Sequence, residues 1–208
     1  MVCFYAFCIL SIVLFRWVSP PTTSVQIQRR VHALFSGQKY RKQYDPVPMS
    51  QISLSLQHAV VAAEDTRFYQ HHGFDWVEVE KVMEKSSESG HISRGASTIT
   101  QQLVKNLFLS TERSFVRKGI EASLVPVMEA VLTKNRILNL YLNVIEWGPG
   151  IYGVQAASEY YYRKDASRIG RDEAARLAAV IPAPLHRRPA QMGAYGAEIL
   201  ARMSTMGW

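Results

Sequence analysis

The stretch EDTRFYQHHGFD, residues 64–75, decides most about the fold of this chain. It follows a predicted helix that Ser50 caps and whose apolar side chains recur at helical spacing to Glu64, so that two carboxylates close the helix. Acidic residues oppose the helix dipole at a C-terminus, where cations are favoured. A residue that violates such a local rule is a candidate for function. The alternative is that Glu64 or Asp65 simply pairs with Arg67 or a nearby histidine.

A second stretch, GASTITQQLVKN at residues 95–106, opens another predicted helix, with Ser97 as its N-cap. The free N–H groups at such an end can hold an anion. Gln101 and Lys105 are four residues apart and therefore share one helical face. The alternative is a capped amphipathic helix with an ordinary polar face.

A third pattern places Arg113, Arg117 and Glu121 four residues apart, with Lys118 beside them. This spacing stacks two cations and a carboxylate on one helical stripe. A ladder of salt bridges would explain the pattern without any function. Together with the first two stretches, however, it supplies the carboxylates and cations that transfer from a phosphate-activated donor requires.

Helical periodicity continues to the end of the chain and predicts a mainly α domain over residues 49–208. The further predicted helices cover residues 113–132, 134–145, 152–162, 172–181 and 193–203. Pro126 is expected to bend the first of these helices. Residues 148–153 spell GxGxxG but follow a helix, so we interpret Gly148-Pro149-Gly150 as a turn between helices rather than a dinucleotide site. Residues 19–48 are predicted to form a polar stalk with a short amphipathic stretch at 31–35.

The first fifteen residues carry no charged side chain, and Pro20-Pro21 follows shortly after them. Residues 1–18 would span about 27 Å as a helix, so we predict a transmembrane anchor. A cleaved signal peptide and a buried core helix are the alternatives. Both cysteines lie in this segment, which excludes a disulfide framework from the rest of the chain.

The chain has 208 residues, and 24 basic against 17 acidic side chains give a formal charge of +7. This length predicts a single core or two small lobes. The positive charge favours anionic partners such as lipid headgroups or phosphates. Nucleic acid is not predicted, because the basic residues are scattered among acidic ones. Neighbouring His71 and His72 lack further ligands at metal-binding spacing.

Five segments, taken in order, resemble the peptidoglycan glycosyltransferase (transglycosylase) family in its monofunctional, membrane-anchored form. They are EDTRFYQHHGFD at 64–75, GASTITQQLVKN at 95–106, RKGIE at 117–121, KNRILNLYLNVIEWG at 134–148 and DEAARLAAVIPAP at 172–184. Many members carry Glu where this chain has Asn139. The resemblance implies a mainly α, lysozyme-like, two-lobed domain preceded by one N-terminal transmembrane helix. The implied activity is polymerisation of lipid II into glycan strands for the bacterial cell wall.

The resemblance also implies the roles of individual residues. Glu64 would be the general base that takes a proton from the acceptor's 4-hydroxyl, while undecaprenyl pyrophosphate leaves with inversion. Glu121 matches a second essential carboxylate, which would either orient cations or help hold a divalent metal, Mg or Mn, on the pyrophosphate. No other cofactor is implied, and Asp65 would support the Glu64 loop. The implied substrate-binding residues are Ser97, Gln101, Lys105, Arg113, Arg117 and Lys118.

The implied location is the cytoplasmic (inner) membrane, with the catalytic domain on its periplasmic, outer face. The basic residues that follow the apolar segment would by themselves favour the cytoplasm. Implied partners are lipid II, the growing glycan strand, the membrane, and cell-division or cell-wall synthesis proteins. A lytic enzyme that cleaves glycan is a rival, but it has no use for a cationic cluster. A non-catalytic scaffold is disfavoured by the presence of both Glu64 and Glu121.

Overall fold

Helices make up most of the chain in the computed structural model, which describes residues 1–89, 97–112 and 114–208. The α-helices are α1 (Val2–Leu14), α2 (Ser24–Phe35), α3 (Leu54–Glu64), α4 (Trp76–Ser89), α5 (Ile99–Phe108), α6 (Phe115–Val131), α7 (Lys134–Val144), α8 (Val154–Tyr162), α9 (Arg171–Ala178) and α10 (Gly193–Thr205). Short 3-10 turns cover Met49–Gln51, Ala166–Arg168 and Pro189–Gln191. The prediction of a mainly α domain is confirmed.

Hydroxyl side chains cap the two helices that carry the first two motifs. Ser53 accepts the Leu56 N–H at the start of α3, at 3.2 Å. Thr98 accepts the Gln101 N–H at the start of α5, also at 3.2 Å. The predicted caps, Ser50 and Ser97, are therefore wrong by three residues and one residue. The α3 start is displaced because Met49–Gln51 forms a separate 3-10 turn.

The core brings the end of α3 next to the start of α5. α3 packs against α9 and α10, while α5 packs against α6 and α7. Leu56 and Val60 of α3, Leu103 of α5 and Leu138 of α7 are fully buried in one cluster. Each such side chain contributes about 1.5–3 kcal/mol to folding by leaving water. These contacts hold the two motif-bearing helices in fixed positions.

The predicted turn at Gly148-Pro149-Gly150 is present, but it lies within a small sheet. β2 (Glu146–Gly148) and β3 (Ile151–Tyr152) pair antiparallel, and β1 (Gln43–Tyr44) pairs parallel with β3. The interpretation as a link between two helices was wrong, because residues distant in sequence supply the pairing strand. The predicted helix over residues 152–162 accordingly begins two residues later, at Val154.

The N-terminal helix α1 packs on the domain. Cys8 and Ile12 are fully buried in the core cluster, and the Tyr5 hydroxyl lies 2.8 Å from the Ser123 hydroxyl of α6. The helix ends at Leu14 and has 13 residues rather than the predicted 18. Within the described residues, no helix combines the length and the apolar character needed to cross a membrane. The predicted transmembrane helix over residues 1–18 is therefore not confirmed.

Asn139 belongs to a polar link with the N-terminal segment. Its amide oxygen accepts from Arg136 at 2.8 Å, and its amide nitrogen donates to the Val47 carbonyl at 3.1 Å. Arg136 also donates to the carbonyls of Phe15 and Val18, at 2.6 Å each. An ionised glutamate would accept from Arg136 but has no proton for Val47. Asn139 thus serves two contacts at once.

The close packing around Gly153 can be tested by mutation. Its φ of +82° is left-handed, and an added Cβ would lie 2.6 Å from the Asn143 carbonyl oxygen. We expect Gly153→Ala to lower the free energy of unfolding by about 2–4 kcal/mol. Gly37→Ala is the matched control, since Gly37 has φ +66° but open space around it. It should lose about 1 kcal/mol from backbone strain alone. Urea titrations that gave equal losses would contradict the close approach of Gly153.

Candidate active site

Asp65, directly after α3, joins three parts of the chain. Its carboxylate accepts the Ile99 N–H at the start of α5, at 3.0 Å. It also accepts from His71 Nε2, at 2.9 Å and 3.1 Å to its two oxygens. Asp65 and His71 are both buried. The residue expected to support the Glu64 loop therefore ties that loop to the N-terminus of α5.

His71 is held in one tautomer by its neighbours. Its Nδ1 accepts the Gly73 N–H at 3.1 Å, so its proton lies on Nε2 and points to Asp65. Ligand atoms of Asp65, His71 and Asp75 lie within 4.8 Å of one another. Because both nitrogens of His71 and the Asp65 carboxylate are engaged, this group does not fit a metal ion. It is a hydrogen-bonded scaffold for the loop.

Glu64, the last residue of α3, is half-buried at the wall of a cavity of about 340 Å³. Gln102 of α5 donates from Nε2 to Glu64 Oε2 at 2.8 Å. Other side chains around the cavity include Glu78, Ser97 and Arg202. The carboxylate is thus oriented by α5 while it remains accessible from a space that a sugar ring can enter.

Gln102 also lines a second cavity, of about 180 Å³. Lys105 and Asn106 of α5 line this cavity, as do Arg29 of α2 and Glu146 of β2. Burial raises the pKa of Glu146, and the adjacent Arg29 partly opposes that rise. The side chain of Gln102 therefore lines both the cavity that Glu64 lines and the cavity that Lys105 lines.

Glu121 of α6 gathers two of the predicted cations. It is 2% exposed and accepts from Arg117 at 2.7 Å and from the amine of Lys118. The Lys118 amine also lies 3.3 Å from the Ser97 hydroxyl. This network connects the start of α6 with Ser97, two residues before α5. Ser97, Arg117, Lys118 and Glu121, predicted separately, are brought together.

The charges of this network affect the pKa of Lys105. Burial lowers its pKa, the carboxylate of Glu121 opposes that change, and Arg117 adds to it. Glu64 raises and Lys118 lowers the same pKa. The base candidate and the cation candidates therefore share one electrostatic environment.

Comparison with known proteins identifies the family of this chain. The Transglycosylase family profile matches residues 29–206. The chain belongs to the transglycosylase family. A biosynthetic peptidoglycan transglycosylase of Pseudomonas aeruginosa is 42% identical over 205 residues, covering 99% of this chain and 88% of the relative. Proteins with that name from Pseudomonas putida and Neisseria gonorrhoeae are each 43% identical, over 98% and 88% of this chain and over 88% and 78% of the relatives.

This transglycosylase is therefore an enzyme of peptidoglycan synthesis, a glycosyltransferase. The resemblance drawn from the five sequence segments is confirmed at the level of the family. The functions of the individual residues are not tested by these comparisons, so their roles stay predictions.

Gln101 and Arg113 were both predicted to bind substrate. Gln101 is buried, and its amide oxygen accepts the Thr98 N–H at 2.9 Å in a capping box. The sequence shows this signal as T-x-x-Q, residues 98–101. Its neighbour Gln102, which the prediction passed over, carries the contact to Glu64. Arg113 lies outside the described residues.

The predicted metal position beside Glu121 can be judged from its donors. Each oxygen of the carboxylate already accepts from a cation, Arg117 on one side and Lys118 on the other. Among the described residues, no cluster of three His, Cys, Asp or Glu side chains includes Glu121. These residues do not fit a divalent cation held by protein ligands. We therefore derive no chemical step through one.

The pKa of Lys105 provides a test of this site that does not require an activity assay. Glu121→Gln removes a charge that raises the pKa of Lys105, so we expect that pKa to fall below its already lowered wild-type value. The ammonium of Lys105 would then be lost at a lower pH than in the wild type. Side-chain NMR titration of ¹³C-lysine protein, assigned with Lys105→Arg, measures it.

Glu173→Gln is the matched control, because Glu173 pairs at the surface with Lys164 instead. It should leave the Lys105 titration unchanged. A Lys105 pKa that stayed constant or rose in Glu121→Gln would show that the two groups are not coupled.

Proposed function

We propose that this enzyme polymerises lipid II into glycan strands by inverting glycosyl transfer, with release of undecaprenyl pyrophosphate. The observation that carries the proposal is that Gln102 lines both the Glu64 cavity and the Lys105 cavity, while Lys118 contacts Ser97 at the Glu64 cavity. An acceptor sugar beside Glu64 and a donor pyrophosphate near the cations would meet there. The two-lobed, lysozyme-like arrangement implied by the resemblance is part of this proposal.

The proposed base is Glu64. Its carboxylate takes the proton of the acceptor's 4-hydroxyl as that oxygen forms a bond to the anomeric carbon of the donor. The bond from that carbon to the pyrophosphate breaks, and its electron pair leaves with the pyrophosphate. Attack from the opposite face converts the α linkage into a β linkage. The hydrogen bond from Gln102 supports this role, because it orients the carboxylate and favours its charged form.

The proposed stabiliser of the leaving group is the cation group around Glu121. Negative charge grows on the pyrophosphate during the reaction, so cations fixed beforehand lower the barrier. Lys105, Arg117 and Lys118 are the described members, with Ser97 as a hydrogen-bond partner. Arg113 joins them as a prediction from the sequence. Glu121, buried and bonded to Arg117 and Lys118, is proposed to hold these cations in place.

The proposed working location is the outer face of the cytoplasmic membrane, where a lipid-linked substrate is presented. Phe115 and Val116, at the start of α6, are 98% and 74% exposed and directly precede Arg117 and Lys118. Apolar side chains next to basic ones are typical of surfaces that contact anionic bilayers. The exposed apolar side of α1, including Leu10, is proposed to contact lipid as well.

The base assignment predicts that Glu64→Gln loses polymerisation of purified lipid II by a factor of about 10²–10⁴. The amide keeps the size of the side chain but cannot take the proton. Glu173→Gln, a surface change outside the cavities, is the control and should retain full activity. Lys105→Ala and Glu121→Gln should also be severely impaired, with circular dichroism confirming that each variant folds.

Two results would overturn the proposal. Full polymerisation by Glu64→Gln would exclude the base role. Release of small muropeptides from preformed peptidoglycan, with no product from lipid II, would favour the lytic alternative. Inhibition of polymerisation by moenomycin, which the family resemblance implies, serves as the assay control.

The membrane surface gives a separate prediction. The double change Phe115→Ser and Val116→Ser should weaken binding to phosphatidylglycerol-containing vesicles about tenfold, since two apolar side chains no longer leave water. Leu54→Ser is the control, because Leu54 is also exposed but lies at the start of α3. Sedimentation with vesicles measures both. Equal binding by the double variant and the wild type would remove this surface from the proposal.

A further inference from the structure

Tyr141 of α7 has a buried hydroxyl that is linked to the candidate base, Glu64, through the side chain of Gln102. Its side chain is fully buried, and its hydroxyl donates to Gln102 Oε1 at 2.8 Å. The other end of the same amide, Nε2, donates to Glu64 Oε2 at 2.8 Å. A continuous chain of donors and acceptors therefore runs from the core to the carboxylate.

The direction of this chain is fixed by chemistry. The Glu64 carboxylate and the Ser97 carbonyl, 3.4 Å from Gln102 Nε2, can only accept, so the amide nitrogen must face them. The amide oxygen then faces Tyr141, whose hydroxyl must donate. Burial raises the pKa of Tyr141 well above its usual range, and the charges of Glu64 and Asp65 act in the same direction. Both effects favour the protonated hydroxyl, which is the form that donates.

The Gln102 amide has two orientations of similar shape. In one, Nε2 donates to Glu64. In the other, the amide oxygen faces the carboxylate and repels it, which favours the protonated acid. The acceptors Glu64 and Ser97 favour the first orientation, and the Tyr141 hydroxyl, which donates to the amide oxygen from the far side, strengthens that preference.

We propose that Tyr141 is a positioning residue that locks the Gln102 amide so that it donates to Glu64. The proposal rests on the proposed function, in which Glu64 is the general base. Tyr141 borders the second cavity, but its hydroxyl donates to Gln102, and it acts on Glu64 through that residue, which lines both cavities.

The direct test is Tyr141→Phe, which removes one oxygen atom and keeps the ring. We expect kcat for lipid II polymerisation to fall about tenfold to a hundredfold, because the base is misoriented in part of the population. KM should change little, since no group that binds substrate is altered. Tyr162→Phe is the matched control, because its hydroxyl bonds the Glu173 carbonyl on another helix, and it should retain wild-type kcat.

The pH profile separates positioning from general damage. Loss of the N–H donation to Glu64 raises the pKa of its carboxyl, so the acid limb of kcat/KM should move to higher pH in Tyr141→Phe. Among the described residues, the charged or titratable groups around Glu64 include Lys105, Tyr141, Asp65, Asp75, Glu78 and Arg202. Apart from position 141, the variant leaves each of them in place. Merely structural damage would lower the rate without moving this limb.

A double-mutant cycle with Gln102→Met completes the test. If Tyr141 acts through Gln102, the double variant loses no more activity than Gln102→Met alone. Multiplicative losses would overturn the proposal, as would a wild-type kcat and acid limb in Tyr141→Phe. In either case an inactive Glu64→Gln would leave the base assignment intact. An active Glu64→Gln would instead remove the proposed function on which the positioning role rests.

Discussion

The buried carboxylate of Asp65 is the constraint on which the site depends. It accepts from the Ile99 N–H at the head of α5 and from His71 of the intervening loop. A buried carboxylate without such partners would be costly, by several kcal/mol. The end of α3 and the head of α5 therefore stay together, and Glu64 comes to lie against Gln102 one turn along α5. Without this contact, the first two motifs would be unrelated helix ends.

The helix α5 carries side chains that interact with both the candidate base and the candidate cations. Gln102 donates to the carboxylate of Glu64, and Lys105 one turn further on lies within electrostatic reach of Glu64 and of the cations that surround Glu121. This proximity suits glycosyl transfer from a pyrophosphate donor, because the base must accept a proton while the cations meet growing negative charge. Glu121, nearly completely buried, accepts from Arg117 and Lys118 and so holds those cations.

Local signals predicted the elements that carry the site, and distant contacts account for the errors. α7 was predicted to within one residue, since its apolar spacing is regular and Thr133 caps it. The sheet around Gly150 was not predicted, because one of its strands, β1, lies far earlier in the chain. The choice between Gln101 and Gln102 depends on the capping box with Thr98, whose T-x-x-Q spelling was present in the sequence. The contact between Tyr141 and Gln102 joins two helices, so no local sequence pattern predicts it.

A crystal structure of the Glu64→Gln variant with lipid II bound tests the central claim most directly. The account predicts that the acceptor's 4-hydroxyl lies about 3 Å from the side chain of residue 64, the reach of a hydrogen bond. It also predicts the donor pyrophosphate against Lys105 and the cations beside Glu121. A sugar bound outside the Glu64 cavity, or a pyrophosphate distant from these cations, would contradict the account.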